Sequence, residues 1–212
     1  MLSADEIVGK LDAGKLRLEK VLADSWDKLG HAQAAGGGGF YTPVMANISS
    51  DGAPWARTIV LRHATPAGRK LAFFTDARSA KAGQIETGSP LCVVFYDREL
   101  ALQLRAFGAA KVHHRDDEAR RAWQSARPSS RRYYRVDPGP DGLLKAPASG
   151  LSEADYEAGM SEEALEPGFE NFMLIRMQVD RLDWLFLGME GNRAARFEWD
   201  GRGDLSATWR VP

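Results

Sequence analysis

Basic side chains flank two short apolar segments in the sequence RTIVLRHATPAGRKLAFFTDARSAK, which begins at Arg57 and ends at Lys81. Arg57 and Arg62 enclose a β-branched run of strand length, and a Pro-Ala-Gly turn separates it from the second segment. That segment is followed by Ser79 and Lys81, where a helix is predicted to begin. Hydroxyl groups, N–H groups at a helix start and basic side chains all bind phosphate. These residues indicate either a phosphate-binding hairpin or a solvated basic hairpin, and alone they leave both open.

Further polar side chains lie on or beside predicted strands. An arginine on a half-buried strand needs an internal carboxylate or a bound anion, so the set is consistent with either. The aromatic residues near these positions favour core packing over stacking on a ligand. The polar set comprises Arg57, Arg62, Thr75, Ser79, Lys81, Gln103, Arg105, Arg127, Arg131, Arg132, Arg193 and Arg196.

Other kinds of site have little support in the sequence. The histidines lack metal-ligand spacing with cysteine or paired carboxylates, so no metal site is predicted. His113 and His114 are neighbours on a predicted strand and point to opposite faces. No nucleophile elbow of a hydrolase is present, and no catalytic residue is assigned. The single cysteine, Cys92, lies in an apolar run that favours a buried, reduced thiol.

The charges of the chain are balanced. Its 212 residues include 28 Lys and Arg and 29 Asp and Glu, a net charge of -1. This balance provides no global field for binding nucleic acid or an anionic membrane. No apolar run is long enough to cross a bilayer, and the first residues do not resemble a secretory signal. We therefore expect a cytoplasmic protein that binds neither nucleic acid nor membrane.

The elements that position these residues are mainly short strands. Ser3 and Glu6 form a capping box ahead of residues at helical spacing, so 1–39 is predicted to be an N-terminal helix and a glycine hinge. From residue 40 onward, short strands are separated by turns, with helices predicted near 79–87, 116–125 and 152–164. The sequence predicts a mainly β domain over 40–212, an antiparallel barrel or sandwich with helical decoration.

The order of these motifs resembles the pyridoxamine 5'-phosphate oxidase-like family of FMN-binding split barrels. RTIVLR, FFT and SAK, which together span residues 57–81, are similar to three family elements in the same order. LQLRAFGAAK, ARP, RLDWLFLG and NRAARF continue the match between residues 102 and 197. The resemblance covers about residues 40–212. It implies an antiparallel split β-barrel that binds FMN.

The resemblance also implies which residues contact the cofactor. Arg57 and Lys81 would balance the FMN phosphate, and Gln103 would hydrogen-bond the polar edge of the flavin ring together with strand backbone groups. The family is dimeric with each flavin at the subunit interface, so we expect a two-fold homodimer. The implied FMN contacts are Arg57, Thr58, Ile59, Val60, Arg62, Phe74, Thr75, Ser79, Lys81, Gln103 and Arg196.

The substrate motifs depart from those of the vitamin B6 oxidases. Asn192 and Ala194 occupy the positions at which those enzymes offer an Arg and a His to the substrate, and Trp123 replaces a Tyr. Arg62 and Arg127 remain as candidates for binding an anionic substrate group. Ion pairs within the protein would explain both arginines equally well.

The resemblance implies an FMN-dependent oxidoreductase that acts on an unidentified small molecule. The departures at Asn192 and Ala194 indicate that it is not an authentic pyridoxamine 5'-phosphate oxidase. The flavin would carry the redox chemistry, and the protein would supply orientation and electrostatics. One alternative is a non-catalytic flavin- or haem-binding module, or a flavin sensor, on the same barrel. A dimeric barrel with a purely structural role is a third.

Overall fold

The computed structural model describes residues 1–12, 15–157 and 161–212. No helix in these ranges is both long enough and apolar enough to span a membrane. The α-helices are α1 (Ala4–Asp12), α2 (Leu18–Ala35), α3 (Ala80–Glu86), α4 (Asp117–Ser125), α5 (Pro128–Arg131), α6 (Glu153–Glu157) and α7 (Glu162–Leu165). The strands are β1 (Val44–Ile48), β2 (Pro54–Thr58), β3 (Leu61–Thr65), β4 (Lys70–Asp76), β5 (Leu91–Asp97), β6 (Leu102–Gly108), β7 (Ala110–His114), β8 (Phe172–Gln178), β9 (Arg181–Phe186), β10 (Arg193–Trp199) and β11 (Leu205–Arg210).

The chain divides into two compact units. Unit 1 comprises Met1–Phe73, Ser89–Ala110 and Met177–Pro212, and unit 2 comprises Phe74–Gly88 and Lys111–Arg176. A seven-stranded antiparallel sheet, here called the large sheet, lies within unit 1 and has the order β11-β10-β9-β6-β5-β1-β2. The small sheet has four strands in the order β3-β4-β8-β7, and the boundaries between the units fall inside β4, β7 and β8.

Side chains of the large sheet alternate between two faces, as expected for an antiparallel sheet with one face on a core. The inner face is apolar and buried, and includes Met45, Val93, Phe95, Leu104, Trp184 and Phe197. The outer face is polar in its centre. It carries Val44, Ala46 and Ile48 of β1, Cys92, Val94 and Tyr96 of β5, Gln103, Arg105 and Phe107 of β6, Arg181, Asp183 and Leu185 of β9, and Ala194, Arg196 and Glu198 of β10.

The single strand predicted over residues 57–62 is two strands in the structure. β2 pairs with β1 in the large sheet, whereas β3 pairs with β4 in the small sheet. The backbone N–H groups of Ile59 and Leu61 donate to the carbonyl oxygens of Pro43 and Tyr41, each at 2.9 Å. These bonds to the preceding loop interrupt strand pairing. The chain therefore changes sheets within the β-branched run.

The N-terminal region contains two helices where the sequence predicts one. The capping box is present, because Glu6 N–H donates to Ser3 Oγ at 3.2 Å and Ser3 N–H donates to Glu6 Oε2 at 2.9 Å. Gly36 ends α2 in the left-handed conformation, with φ 68°. A Cβ atom on Gly39 would lie 2.3 Å from the Tyr96 carbonyl oxygen, so only glycine fits there. Two glycines of the predicted hinge thus have defined positions.

Unit 2 is built around an aromatic cluster. Trp123 of α4 is fully buried, with its ring centroid 5.4 Å from that of Phe172 and 6.0 Å from that of Phe169. The predicted helix at 152–164 corresponds to α6 and α7, and its residues 158–160 lie outside the described residues. Aromatic packing of this kind supplies most of the apolar burial of a small helical unit.

Candidate functional site

Arg57 lies on the edge strand β2 and on the same face as Met45, its partner on β1. Its Nη1 donates to Asn47 Oδ1, and to the Met45 carbonyl oxygen at 3.5 Å. Its Nη2 is buried and has no hydrogen-bond partner in the described part of the chain. Burial lowers the pKa of the Arg57 guanidinium, although an arginine remains charged at any physiological pH. A partly desolvated cation with an unused donor favours an anionic ligand.

Thr58, Ile59, Val60 and Arg62 lie where the chain passes from the large sheet to the small sheet. Thr58 is exposed, and the other three side chains are half-buried. The expectation that Arg57 and Arg62 close the two ends of one strand is wrong, because these residues belong to β2 and β3 of different sheets. The change of sheets separates the two cations of the predicted hairpin.

Gln103 and Arg196 lie on the outer face of the large sheet, on strands separated by β9. Gln103 is opposite Leu185 of β9, and Arg196 is opposite Asp183 of the same strand. Leu185 and Asp183 are two residues apart, so their side chains and those of their partners share one face. Arg57 lies on the other face, with the inner-face residues. Four predicted flavin contacts lie on strands of the large sheet: Thr58, Gln103 and Arg196 are on its outer face, and Arg57 is on the opposite face.

Asp183 is buried on the outer face and binds three arginines. Arg196 Nε donates to Asp183 Oδ1 at 2.9 Å, and its Nη2 donates to Oδ2 at 3.3 Å. Arg105 Nη2 donates to Oδ2 at 3.3 Å, and Arg181 Nε lies 3.6 Å from Oδ1. Donating these hydrogen bonds to Asp183 raises the pKa of the Arg196 guanidinium. With Glu198, which is opposite Arg181, the group holds three cations and two anions. We call this group the Asp183 cluster, and its net charge is positive.

The sequence singles out Arg105 and Arg196 but does not point to Asp183. The spacing of Arg181 and Asp183 on a predicted strand does place them on one face. Their partners, however, depend on the cross-strand register of β6, β9 and β10, which no local pattern reveals. The cluster that fixes Arg196 is therefore visible only in the folded chain.

Unit 2 contains Thr75, Ser79 and Lys81, the hydroxyl groups and the lysine that are predicted to contact FMN. Thr75 Oγ1 lies 3.3 Å from Ser79 Oγ, and both side chains are buried. Ser79 Oγ donates to the Asp76 carbonyl oxygen at 2.6 Å. Ser79 occupies the N-cap position of α3 without a capping hydrogen bond from its side chain, and Lys81 lies half-buried in the first turn. The structure brings Thr75 and Ser79 together at the junction of β4 and α3.

Phe74, also predicted to contact FMN, belongs to the aromatic cluster of unit 2. Its ring packs edge to face on Phe172, with centroids 4.9 Å apart. Phe172 also contacts Trp123 and Tyr134, at 5.4 and 5.1 Å. The half-buried Phe74 ring thus packs against the core, the role that the sequence favours for the aromatic residues as a set.

Arg127 and Arg131, at the two ends of α5, have different roles. Arg127 is exposed at the N-terminus of α5. Arg131 is 4% exposed, and its guanidinium donates to the two carboxylate oxygens of Glu162 at 2.7 and 2.6 Å. The Glu162 carboxylate raises the pKa of Arg131. Internal pairing therefore accounts for Arg131, while the exposed position of Arg127 is compatible with substrate binding.

The two positions at which the chain departs from the vitamin B6 oxidases lie around the start of β10. Asn192 is exposed, and Ala194 lies on the outer face opposite Leu185. Between them, Arg193 Nη1 donates to the carbonyl oxygens of Gly191 and Asn192 at 3.1 and 3.0 Å. Neither Asn192 nor Ala194 can supply the charge or the imidazole that a phosphorylated pyridine substrate meets in those enzymes.

Comparison with known proteins gives consistent results. The family model described as pyridoxamine 5'-phosphate oxidase matches residues 39–182. An FMN-binding, pyridoxamine 5'-phosphate oxidase-related protein from Nostoc punctiforme has a TM-score of 0.67 and 21% identity, over 89% of this chain and 96% of that chain. PhzG from Burkholderia lata, solved with tetrahydrophenazine-1-carboxylic acid, has a TM-score of 0.67 and 21% identity, over 92% of each chain. No curated protein sequence matches.

These likenesses show the fold, an antiparallel split β-barrel, and confirm the fold class predicted from the sequence. The matched segment is more than half of the 212 residues and includes the strands and turns from β1 to β8. It also contains the RTIVLR, FFT, SAK and LQLRAFGAAK motifs in the expected order. The chain therefore belongs to the pyridoxamine 5'-phosphate oxidase family.

Proposed function

We propose that this chain binds FMN and is an FMN-dependent oxidoreductase acting on a small molecule. The observation that carries the proposal is the buried Nη2 of Arg57, which has no hydrogen-bond partner among the described residues. Leaving a buried donor unsatisfied costs about 1–3 kcal/mol, and more when the group is charged. A phosphate oxygen of FMN would accept this hydrogen bond and neutralise the charge.

The outer face of the large sheet supports the same cofactor. Gln103 offers both a donor and an acceptor, which suits the alternating polar edge of a flavin ring. Arg196 is held in place by two hydrogen bonds to Asp183, so it loses little side-chain freedom when it donates to a ligand. The net positive charge of the Asp183 cluster favours an electron-rich ring over a cationic one.

The remaining contacts proposed for FMN include residues of both units. In unit 2, Ser79 Oγ donates to the Asp76 carbonyl oxygen, so the proposed donors to an anion are the buried Thr75 hydroxyl and the Lys81 ammonium. In unit 1, the backbone between β2 and β3 is held by hydrogen bonds to the preceding loop. We propose that Thr58, Ile59, Val60 and Arg62 contact FMN there, and that Phe74 does so in unit 2.

The proposed partner is a second copy of this chain. Arg57 lies on the inner side of the large sheet and the pair Gln103 and Arg196 on its outer side. Residues on opposite faces of one sheet do not meet the same small ligand except around an edge. A second copy supplies the missing face at each site and gives two equivalent sites in a two-fold dimer.

FMN, when bound, would supply hydride transfer, and the residues of the chain would bind and orient it. We assign no acid–base role to any side chain. Arg62 and the exposed Arg127 are proposed to bind an anionic group of the substrate. Since Asn192 and Ala194 lack charge and imidazole, we do not propose pyridoxamine 5'-phosphate as that substrate.

Cofactor binding is tested by titrating flavin-free protein with FMN, and the quenching of FMN fluorescence measures the bound fraction. We expect Arg57→Ala to weaken binding at least about tenfold, because it removes a charge-assisted hydrogen bond. Arg98→Ala removes an exposed arginine of the same unit and should bind FMN as the wild type does. Equal affinity of Arg57→Ala and wild type, or no FMN binding at micromolar concentration, would overturn the proposal.

A second measurement separates the enzyme from a non-catalytic module. The FMN-loaded protein is mixed with reduced nicotinamide cofactor without oxygen, and loss of the flavin absorbance is recorded. Bleaching of the flavin, followed by its return with an electron acceptor, is the expected result for an oxidoreductase. A flavin that reduced nicotinamide cofactor does not bleach would favour a binding module on the same barrel.

A further inference from the structure

A pocket of about 310 Å³ lies within unit 1, between α1 and the connection from β9 to β10. This volume is at the lower end of the range of about 300–1,000 Å³ that small-molecule sites occupy. Apart from Ala101, all residues that line the pocket lie outside the segment 39–182 that matches the family model. The pocket is therefore formed almost entirely by parts of this chain that the family model does not describe.

The α1 wall is an apolar helical face. Ala4, Val8 and Leu11 line the pocket at spacings of four and three residues, which places them on one side of the helix. Ile7 points elsewhere and is 1% exposed. Val8 remains 37% exposed, so the chain itself leaves this face incompletely covered. Binding of an apolar group in the pocket would bury this face and lower the free energy.

The backbone just before α1 is fixed by buried charge. Leu2 N–H donates to Asp24 Oδ1 at 2.6 Å, and Lys28 Nζ donates to the Leu2 carbonyl oxygen at 2.8 Å. Asp24 and Lys28, which form an ion pair on α2, are 2% and 3% exposed. A backbone held from both sides in this way does not move freely. The pocket is thus a preformed site, and one of its walls is anchored to α2.

The opposite wall belongs to the end of β9 and its turn. Phe186 is buried and lies on the inner side of the large sheet, because it is two residues from Trp184. Gln103 and Arg196 lie on the outer side of that sheet. Met189, also in the lining, is fully exposed and has a flexible thioether side chain that adapts to ligand shape. The pocket is therefore on the other side of the sheet from these two flavin contacts.

The charged residues of the lining are Asp5 of α1, Glu190 of the turn, and Arg193. The lining has two carboxylates from different elements and one guanidinium, whose Nη1 already donates to two carbonyl oxygens of its own turn. The lining thus combines an apolar interior with a net negative charge. We propose that this pocket binds a small apolar amine, with its hydrocarbon body against α1 and Phe186 and its ammonium group near the carboxylates.

The test uses three probes with one ring system and different charge: naphthylmethylamine, naphthylmethanol and naphthoic acid. Binding is followed through the Met189 methyl resonance in protein with isotope-labelled methionine, assigned with Met189→Leu. We expect the amine to bind at least about fivefold more tightly than the alcohol, and the acid to bind most weakly. The Asp5→Asn, Glu190→Gln double variant should remove the preference for the amine while retaining alcohol binding.

Filling the pocket tests its location. We expect Val8→Trp to weaken amine binding at least about tenfold by occupying the apolar volume. Val211→Trp adds the same indole at a residue that is 95% exposed and absent from the lining, and should leave amine binding unchanged. Saturating FMN should also leave it unchanged. Absence of any Met189 shift at millimolar amine, equal binding by Val8→Trp, tighter binding of the acid, or displacement by FMN would each overturn the proposal.

Discussion

Asp183 is the residue on which the outer face of the large sheet depends. Its buried carboxylate binds Arg105, Arg181 and Arg196. We expect Asp183→Asn to lower the free energy of unfolding by about 2 kcal/mol, because three guanidinium groups lose their counter-charge while their partial exposure limits the cost. Urea denaturation measures the loss. The same variant should weaken FMN binding, since Arg196 is no longer held in place.

The matched control is Asp180→Asn. Asp180 is an exposed carboxylate one residue before β9, and its replacement should change the free energy of unfolding by no more than about 0.5 kcal/mol. An equal loss in both variants would mean that the Asp183 cluster contributes no more than general surface charge. A loss confined to Asp183→Asn would support its role in holding the outer face.

Single residues differ in how far the sequence predicts their surroundings. Arg57 can be recognised as a candidate ligand-binding residue because its neighbours predict a strand and its charge needs a partner. The partner that the structure shows, Asn47 Oδ1, comes from β1 and is not predicted. The same is true of Asp183. Residue type and local spacing are read from the sequence, whereas contacts between strands depend on register.

At the scale of elements, strand positions are predicted well and strand limits less so. The run from Arg57 to Arg62 reads as one strand because β-branched residues favour strands wherever they occur. Nothing in its composition shows that Ile59 and Leu61 bond to a preceding loop and that two sheets share the run. The separation of α1 from α2 is similar, since helical spacing continues through both helices.

The contact between α5 and α7 is expected to make the stability of the fold depend on pH. Arg131 binds Glu162, and this side-chain hydrogen bond lowers the pKa of Glu162 below its ordinary value of 4.5. A carboxylate whose pKa is lower in the folded state stabilises the fold above its unfolded pKa and loses that effect as pH falls. We therefore expect Glu162→Gln to be less stable than wild type at neutral pH, and the difference to shrink below about pH 4.5.

Thermal denaturation at a series of pH values measures this difference. Glu163→Gln changes the neighbouring exposed carboxylate and serves as the control, for which we expect a much smaller difference at neutral pH. A stability difference between Glu162→Gln and wild type that stays constant from neutral to acidic pH would show that the lost charge is not its cause. Arg131 would then be held mainly by its packing on Trp123, whose ring centroid lies 5.4 Å from the guanidinium carbon.

At the scale of the whole molecule, the family and the fold are the parts that the sequence predicts best. Several weak motifs in a fixed order identify the family, and the family model covers residues 39–182. The division into two interleaved units is not predicted, because each unit is assembled from distant segments of the chain. Assembly with a second copy stays a prediction, and the outer face of the large sheet provides its physical test.

The outer face carries exposed apolar side chains at one end, with Val44, Ile48 and Tyr96 38%, 43% and 46% exposed. A stable dimer buries about 800 Å² on each partner, and these residues together with the Asp183 cluster form a continuous face for it. We expect light scattering to give twice the chain mass of 23.3 kDa. Val94→Arg, on the same face of β5, should give the single-chain mass, because an added cation would face its own copy across the two-fold axis.

The Val94→Arg variant also links assembly to the cofactor. If Gln103 and Arg196 of one copy complete the site that contains Arg57 of the other, loss of the dimer must weaken FMN binding even though Val94→Arg alters none of these three residues. Val211→Arg places the same charge at a residue that is 95% exposed, and should keep both the double mass and the FMN affinity. Circular dichroism verifies that each variant is folded. A folded single chain that binds FMN with wild-type affinity would show that one copy holds the cofactor without help, and that the opposite faces meet the flavin around the sheet edge.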